Sequence, residues 1–238
     1  MDKKKQFQKG IVDGFPICLG YLSVSFAFGI FAVENGLSIA EALLISMTCV
    51  TSAGQLAAVP IIALGGGLLE LAVSQLVINM RYALMSVSLS QKFDEKVTLK
   101  DRFAIAFVNT DEVFAVSSSQ KGSVSKWYMY GLELTPWVGW AAGTLLGAVA
   151  GNVLPQIVTS SLGVAIYGMF IAIVLPEMRK SRPTALCVAL AVALSCLFWF
   201  VPALKAIPSG FTIILCAVIS SGLMAWLAPV EQEVDGNE

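Results

Sequence analysis

The stretch Leu68–Ser90, LLELAVSQLVINMRYALMSVSLS, decides the fold class. A helix of this length, rising about 1.5 Å per residue, crosses the ~30 Å hydrocarbon core of a bilayer. Yet Asn79 and Arg81 lie inside it. An arginine at the centre of a membrane helix costs at least ~2.5 kcal/mol on insertion scales, so it must be sheltered by protein or water and have a task. At about 100° per residue, Glu70, Ser74 and Arg81 fall on one face and Gln75, Asn79 and Ser86 on the opposite one. A helix polar on two faces is expected inside a bundle or beside a water-filled cavity. For Arg81 two readings stand side by side: capping backbone carbonyls or snorkelling to an interface, and holding an ion pair or a ligand.

The rest of the chain is of the same kind. Of its 238 residues 57% are hydrophobic and 13% charged, and the mean hydropathy is +0.79. A soluble domain carries about 25% charged residues, so this composition indicates an all-α integral membrane protein, a polytopic helical bundle with some helices broken. Charge is segregated: Lys3, Lys4, Lys5 and Lys9 open the chain, Lys92, Lys96, Lys100 and Arg102 form a second cluster, Arg179, Lys180 and Arg182 a third, and the tail is acidic. No basic domain supports nucleic-acid binding. Histidine is absent, and no nucleophile constellation, phosphate loop or metal-ligand cluster is present, so neither an enzyme nor a metal or other cofactor is expected. Cys18, Cys49, Cys187, Cys196 and Cys216 lie in apolar blocks without metal-like spacing and read as buried small hydrophobes.

Apolar runs predict seven spans, at 15–33, 41–64, 68–90, 127–151, 157–175, 184–203 and 209–227. An eighth segment, 103–119, is short and carries Asn109, Thr110, Asp111 and Glu112 in its middle. Lysine and arginine gather on the cytoplasmic side, which places the N-terminus and the Arg179–Arg182 cluster together and requires an even number of crossings between them. Eight spans satisfy this at the cost of placing the basic loop 91–102 outside. The alternative makes 41–64 and 103–119 both re-entrant and returns that loop to the inside. The length of 41–64 argues for eight, so a bundle of seven or eight transmembrane helices is expected. Residues 1–14 would be a cytoplasmic segment, 15–228 a single transmembrane transport domain and 229–238 an acidic cytoplasmic tail, with both termini in the cytoplasm of a multi-pass cell-membrane protein. The first apolar run lacks a small-x-small cleavage site and reads as an uncleaved helix.

Three features carry the polar chemistry. Thr51-Ser52-Ala53-Gly54-Gln55, followed by Pro60, interrupts the second segment. Such a break frees backbone N–H groups that can hold a carboxylate, or alternatively forms a small-residue packing face with Gln55 bonded across helices. Asp111 and Glu112 are adjacent carboxylates that can take and release a proton without histidine, unless 103–119 lies at the surface and they are solvated. Gly139, Gly143, Gly147 and Gly151 recur every fourth residue, a stripe for close helix packing. Glu133 precedes it and reads as interfacial.

Gly14-Phe15-Pro16, Phe28-Gly29, Asn35-Gly36-Leu37-Ser38 with Glu41-Ala42, Ala53-Gly54-Gln55, Ile78-Asn79-Met80-Arg81-Tyr82 and Thr110-Asp111-Glu112 with Phe114-Ala115 follow in that order. The set resembles the AzlC family. The resemblance implies the large subunit of a branched-chain amino acid exporter that works with a small AzlD-type membrane subunit and is driven by the proton-motive force. The family usually has histidine where this chain has Tyr82, so a proton-relay role would move here to Asp111 or Glu112. Joined to the residue reading, it gives an expected site. Gly54, Gln55, Asn79 and Arg81 would bind an aliphatic amino acid, while Asp111 and Glu112 couple its export to protons.

Overall fold

The computed structural model describes residues 2–155, 157–158, 168, 171, 174–176, 178–202, 204 and 207–228. Among them nine helices follow in order: α1 Lys3–Glu34, α2 Ile39–Thr48, α3 Ser52–Ala63, α4 Leu68–Ser90, α5 Leu99–Ala106, α6 Asp111–Ser118, α7 Lys126–Val153, α8 Arg182–Phe200 and α9 Ser209–Leu227. Among the described residues four helices, those at Lys3–Glu34, Leu68–Ser90, Arg182–Phe200 and Gly210–Leu227, are long and apolar enough to cross a membrane. Helix α1 begins at Lys3, well before the expected start at 15. The expected span 157–175 lies largely outside the described residues.

Helices α1 and α7 form the backbone of the fold. A Cβ added at Gly131 would meet the Phe7 backbone, at Gly139 Cys18, at Gly143 Leu22, at Gly147 Phe26 and at Gly151 Ile30. Partners advance together along both chains, so the two helices run parallel. Only residues without a Cβ allow backbones so near. Gly10 and Gly14 return the same contact from α1, against Tyr128 and Leu132.

The pieces between these two helices depart from the eight-crossing expectation. Helix α2 starts from a Ser38–Glu41 capping box and descends along α7. Its Ser46 bonds Thr144 at 2.5 Å, and the Trp137 indole donates to the Met47 carbonyl at 3.1 Å. At the tip, Val50 packs with Tyr21 and Trp140. Helix α3 then returns, and its Val59 joins Ala42, Phe28, Ala32 and Ala148 in one cluster. Phe28 lies about 10 Å along α1 from Tyr21, too far for a chain that had continued onward. Residues 39–63 therefore form a V of two short helices. Gly36 and Gly65, at φ of 88° and 70°, turn the chain into and out of it.

Helices α5 and α6 make a second V from the opposite end. Thr98 and Asp101 cap α5 beside Lys126 and Tyr130. Val108 reaches Tyr21 and Trp140 at the tip. The chain then comes back, with the Lys92 ammonium donating to the Ser118 carbonyl and Lys9 to Gln120. The loop 91–102 thus lies at the lysine-rich end of α1, which removes the charge conflict of the eight-span arrangement. Hydropathy alone does not distinguish a pair of half-length helices from a full span, because both carry the same apolar side chains.

Helix α4 runs against α3 and past both tips. It is not the central helix expected from its two polar faces. A third arc holding Leu69, Leu76 and Leu84 is 72%, 68% and 73% exposed, and the polar arcs lie toward α3, α6 and α9. Nor is Glu133 interfacial: it is 5% exposed within α7, and its Oε1 has no partner among the described residues. The cysteines are all free, but only Cys216 is buried, and Cys196 is exposed on α8.

Candidate functional site

The two hairpin tips meet near the middle of α7. Tyr21 and Trp140 stand between them, ring centroids 4.9 Å apart and edge to face. Beside this pair opens a cavity of about 400 Å³ lined by residues of α1, both tips and α4.

One wall of the cavity is polar. Arg81 Nη2 lies 2.7 Å from Asp111 Oδ2, so the arginine of α4 meets the first residue of α6. Its guanidinium also stacks 5.1 Å from the Tyr82 ring. Tyr21 bridges Thr110 Oγ1 at 2.6 Å and Glu112 Oε2 at 2.5 Å, which ties the other carboxylate to α1. Helices α3 and α6 both begin here, at Ser52 and Asp111, and the positive ends of their dipoles converge on the cavity. Thr110 caps α6 by accepting from the Val113 N–H, whereas the Thr51 side chain makes no capping bond to α3. The first N–H groups of α3 therefore stay available to an anion. The opposite wall is apolar: Pro16, Ile17, Gly20, Val24 and Val50.

The residues expected to act together divide into two groups. Arg81, Asp111 and Glu112 line the cavity. Gly54, Gln55 and Asn79 stand behind its wall. Gln55 is fully buried, its amide donating to Ser46 Oγ at 2.8 Å and accepting from the Trp140 indole at 2.8 Å. Both ends of that side chain are thus committed to joining α2, α3 and α7. The Gly54 carbonyl accepts from Gln75 at 2.8 Å, and a Cβ at Gly54 would press on Gln75 and Asn79. Asn79 donates to Gln75 Oε1 at 3.2 Å, and its own Oδ1 is buried without a partner among the described residues. This seam sets how closely α3 approaches α4. Gly139, Gly143, Gly147 and Gly151 face α1, remote from the cavity's polar wall.

Tyr21 and Trp140 escaped the sequence reading, and Thr110 entered it only as a neighbour of the two carboxylates. A signal was present, since a tyrosine or tryptophan far from a helix end needs a buried partner for its O–H or N–H.

Comparison with known proteins bears on these same residues. The AzlC protein family model matches residues 16–154, which contain every residue lining the cavity. An uncharacterized membrane protein of Archaeoglobus fulgidus is 34% identical over 199 residues, 82% of this chain and 86% of its own. Inner membrane protein YgaZ of Escherichia coli is 28% identical over 196 residues, 79% and 80% of the two chains. Branched-chain amino acid transport protein AzlC of Bacillus subtilis is 24% identical over 228 residues, 90% and 89%. No solved structure matches the chain.

Proposed function

The chain belongs to the AzlC family, and from that premise we propose that it is the large subunit of a secondary transporter that exports branched-chain, aliphatic amino acids in exchange for protons. The family, and a relative named as a transport protein beside others named as membrane proteins, point to membrane transport rather than to an enzyme. The branched-chain substrate is drawn from the name of the Bacillus subtilis relative. A small AzlD-type membrane subunit as partner is drawn from the family resemblance.

The observation that carries the reading is the two-sided cavity. A zwitterionic aliphatic amino acid presents a carboxylate, an ammonium and an apolar chain. The carboxylate fits the open N-terminus of α3 at Ser52 together with Arg81, the ammonium fits Asp111 or Glu112, and the side chain fits Ile17, Val24 and Val50. In this arrangement Gly54, Gln55 and Asn79 hold the α3 terminus in place and do not touch the substrate. A proton on either carboxylate removes the charge that attracts the ammonium. Proton and substrate therefore compete, and competition at one site links their flows.

The hairpins support α1, α4, α7, α8 and α9 as crossings and residues 39–63 and 98–118 as re-entrant, alongside the span expected from the sequence at 157–175. Both termini and the basic loop 91–102 then face the cytoplasm of the cell membrane. The chain remains one transport domain ending in the acidic tail 229–238, with residues 3–14 continuing α1 as its cytoplasmic start.

Cells loaded with labelled leucine and given an inward pH step test the proposal. Wild-type chain releases leucine and isoleucine faster than a polar amino acid, and Asp111→Asn with Glu112→Gln abolishes the pH-driven part. Undiminished efflux from the doubly substituted chain would sink the coupling mechanism.

A further inference from the structure

Glycine inside a helix is a costly choice over alanine unless something needs the space. Along α1 and α7 that need is visible at Gly10, Gly14, Gly29, Gly131, Gly139, Gly143, Gly147 and Gly151, where an added Cβ would meet an atom of the facing helix. Gly20 is the exception among the glycines of these two helices. Among the described residues a Cβ there meets nothing within 4 Å, and its φ is not one that disfavours a side chain. It lies on the face of α1 turned away from α7, next to Tyr21, and it lines the cavity with Ile17, Val24 and Val50. Neither backbone conformation nor protein packing accounts for a glycine at this place. The open volume in front of it does.

We propose that Gly20 sets the size limit of the side-chain subsite: the aliphatic side chain of the transported amino acid occupies the space in front of Gly20, between Ile17, Val24 and Val50. This rests on the transport reading above. With Gly20 as the floor, a branched four-carbon chain fits where a Cβ or longer group at position 20 would stand. Any side chain placed there competes with the substrate's own for the same volume and spares a substrate that has little side chain. Arg81, Asp111 and Glu112 of the polar wall stand on α4 and α6, not on α1.

The experiment compares efflux of alanine, valine and leucine from loaded cells producing the full chain with its partner subunit, for wild type and for Gly20→Ala, Gly20→Val and Gly20→Leu. Membrane level and unfolding temperature are measured for each variant. The expected result is a leucine-to-alanine efflux ratio that falls stepwise with the size of residue 20, by about tenfold per step at the larger substitutions. A Gly20→Cys chain should react with a water-soluble maleimide, and leucine should slow that reaction more than alanine does. An unchanged ratio in Gly20→Leu at normal membrane level overturns the proposal, since the residue then faces lipid. A loss equal for all three amino acids overturns it too. Wild type that moves none of them overturns the transport reading itself. Absence of leucine protection in Gly20→Cys, or protection without any change of the efflux ratio in Gly20→Leu, overturns the proposal as well.

Discussion

Arg81 on α4 and Asp111 at the start of α6 form an ion pair of 2.7 Å that joins a full-length helix to the tip of a re-entrant hairpin. The two side chains are 56% and 45% exposed, so the pair contributes little stability in water, about 1 kcal/mol or less. Its importance is positional. Arg81→Ala and Asp111→Asn are each expected to lower leucine efflux more than tenfold, roughly the effect of losing one oriented charge, while unfolding temperature in detergent barely moves. A stability loss of several kcal/mol from either substitution would return Arg81 to a structural role.

Gln55 behaves in the opposite way. Its amide serves Ser46 and the Trp140 indole inside a fully buried junction. Gln55→Leu leaves the Trp140 indole N–H without its acceptor and takes one of the two bonds of Ser46, which keeps Thr144, and is expected to cost about 1–3 kcal/mol of stability. The measurement is denaturant unfolding of the purified chain, alongside the leucine-to-alanine efflux ratio. That ratio should stay constant in whatever folded protein remains.

Close packing of α1 on α7 gives a sharper expectation. A Cβ on Gly147 collides with the Phe26 carbonyl oxygen, a backbone atom that cannot rotate away. Gly147→Ala should therefore cost about 1–3 kcal/mol through overpacking, despite the better helix propensity of alanine. Unfolding temperature and membrane yield read the effect directly.

Asp101 supplies a pH dependence at the lysine-rich end. Hydrogen bonds from Tyr130, from Thr98 and from Lys126 hold its carboxyl well below the usual carboxylate range. A group so lowered stabilises the folded form at every pH above its unfolded value of about 4, and that contribution is lost as pH falls toward the folded value. Unfolding temperature should drop below about pH 4 in wild type and be flatter there in Asp101→Asn, which is also less stable near neutrality.

Topology is open to labelling. Cysteines placed at Lys96 and at Asn35 in a cysteine-free background should react with impermeant reagent from opposite sides of the membrane, Lys96 from the cytoplasm. Labelling of both from one side would overturn the pair of re-entrant hairpins.

Much of this was legible along the chain. Composition and the apolar runs gave the membrane class, and the bounds of α4 and α9 coincide with those read from hydropathy. The break near Thr51 was visible because small polar residues interrupt an apolar run. The direction taken after the break was not, since it depends on bonds such as Ser46 to Thr144, 98 residues apart. The site was half legible for the same reason. Charge alone marked Arg81, Asp111 and Glu112, but not which carboxylate the arginine meets, and of the two readings open for Gln55 its buried partners favour bonding across helices. The two polar arcs of α4 were real, and the inference that they made it central failed because a third arc carries the exposed leucines.

The meeting of the two hairpin tips at Tyr21 and Trp140 also has an electrical consequence. Each V occupies only part of the depth of α7, so in the proposed topology the two tips approach each other from opposite faces of the membrane. Were water to follow both Vs to their tips, the transmembrane voltage would fall over a short path across that aromatic pair. One elementary charge crossing it exchanges about 2.3 kcal/mol per 100 mV. A proton passing between the cavity carboxylates and the far side would thus collect most of the available electrical work within a few ångströms, at the place where the chain keeps its arginine.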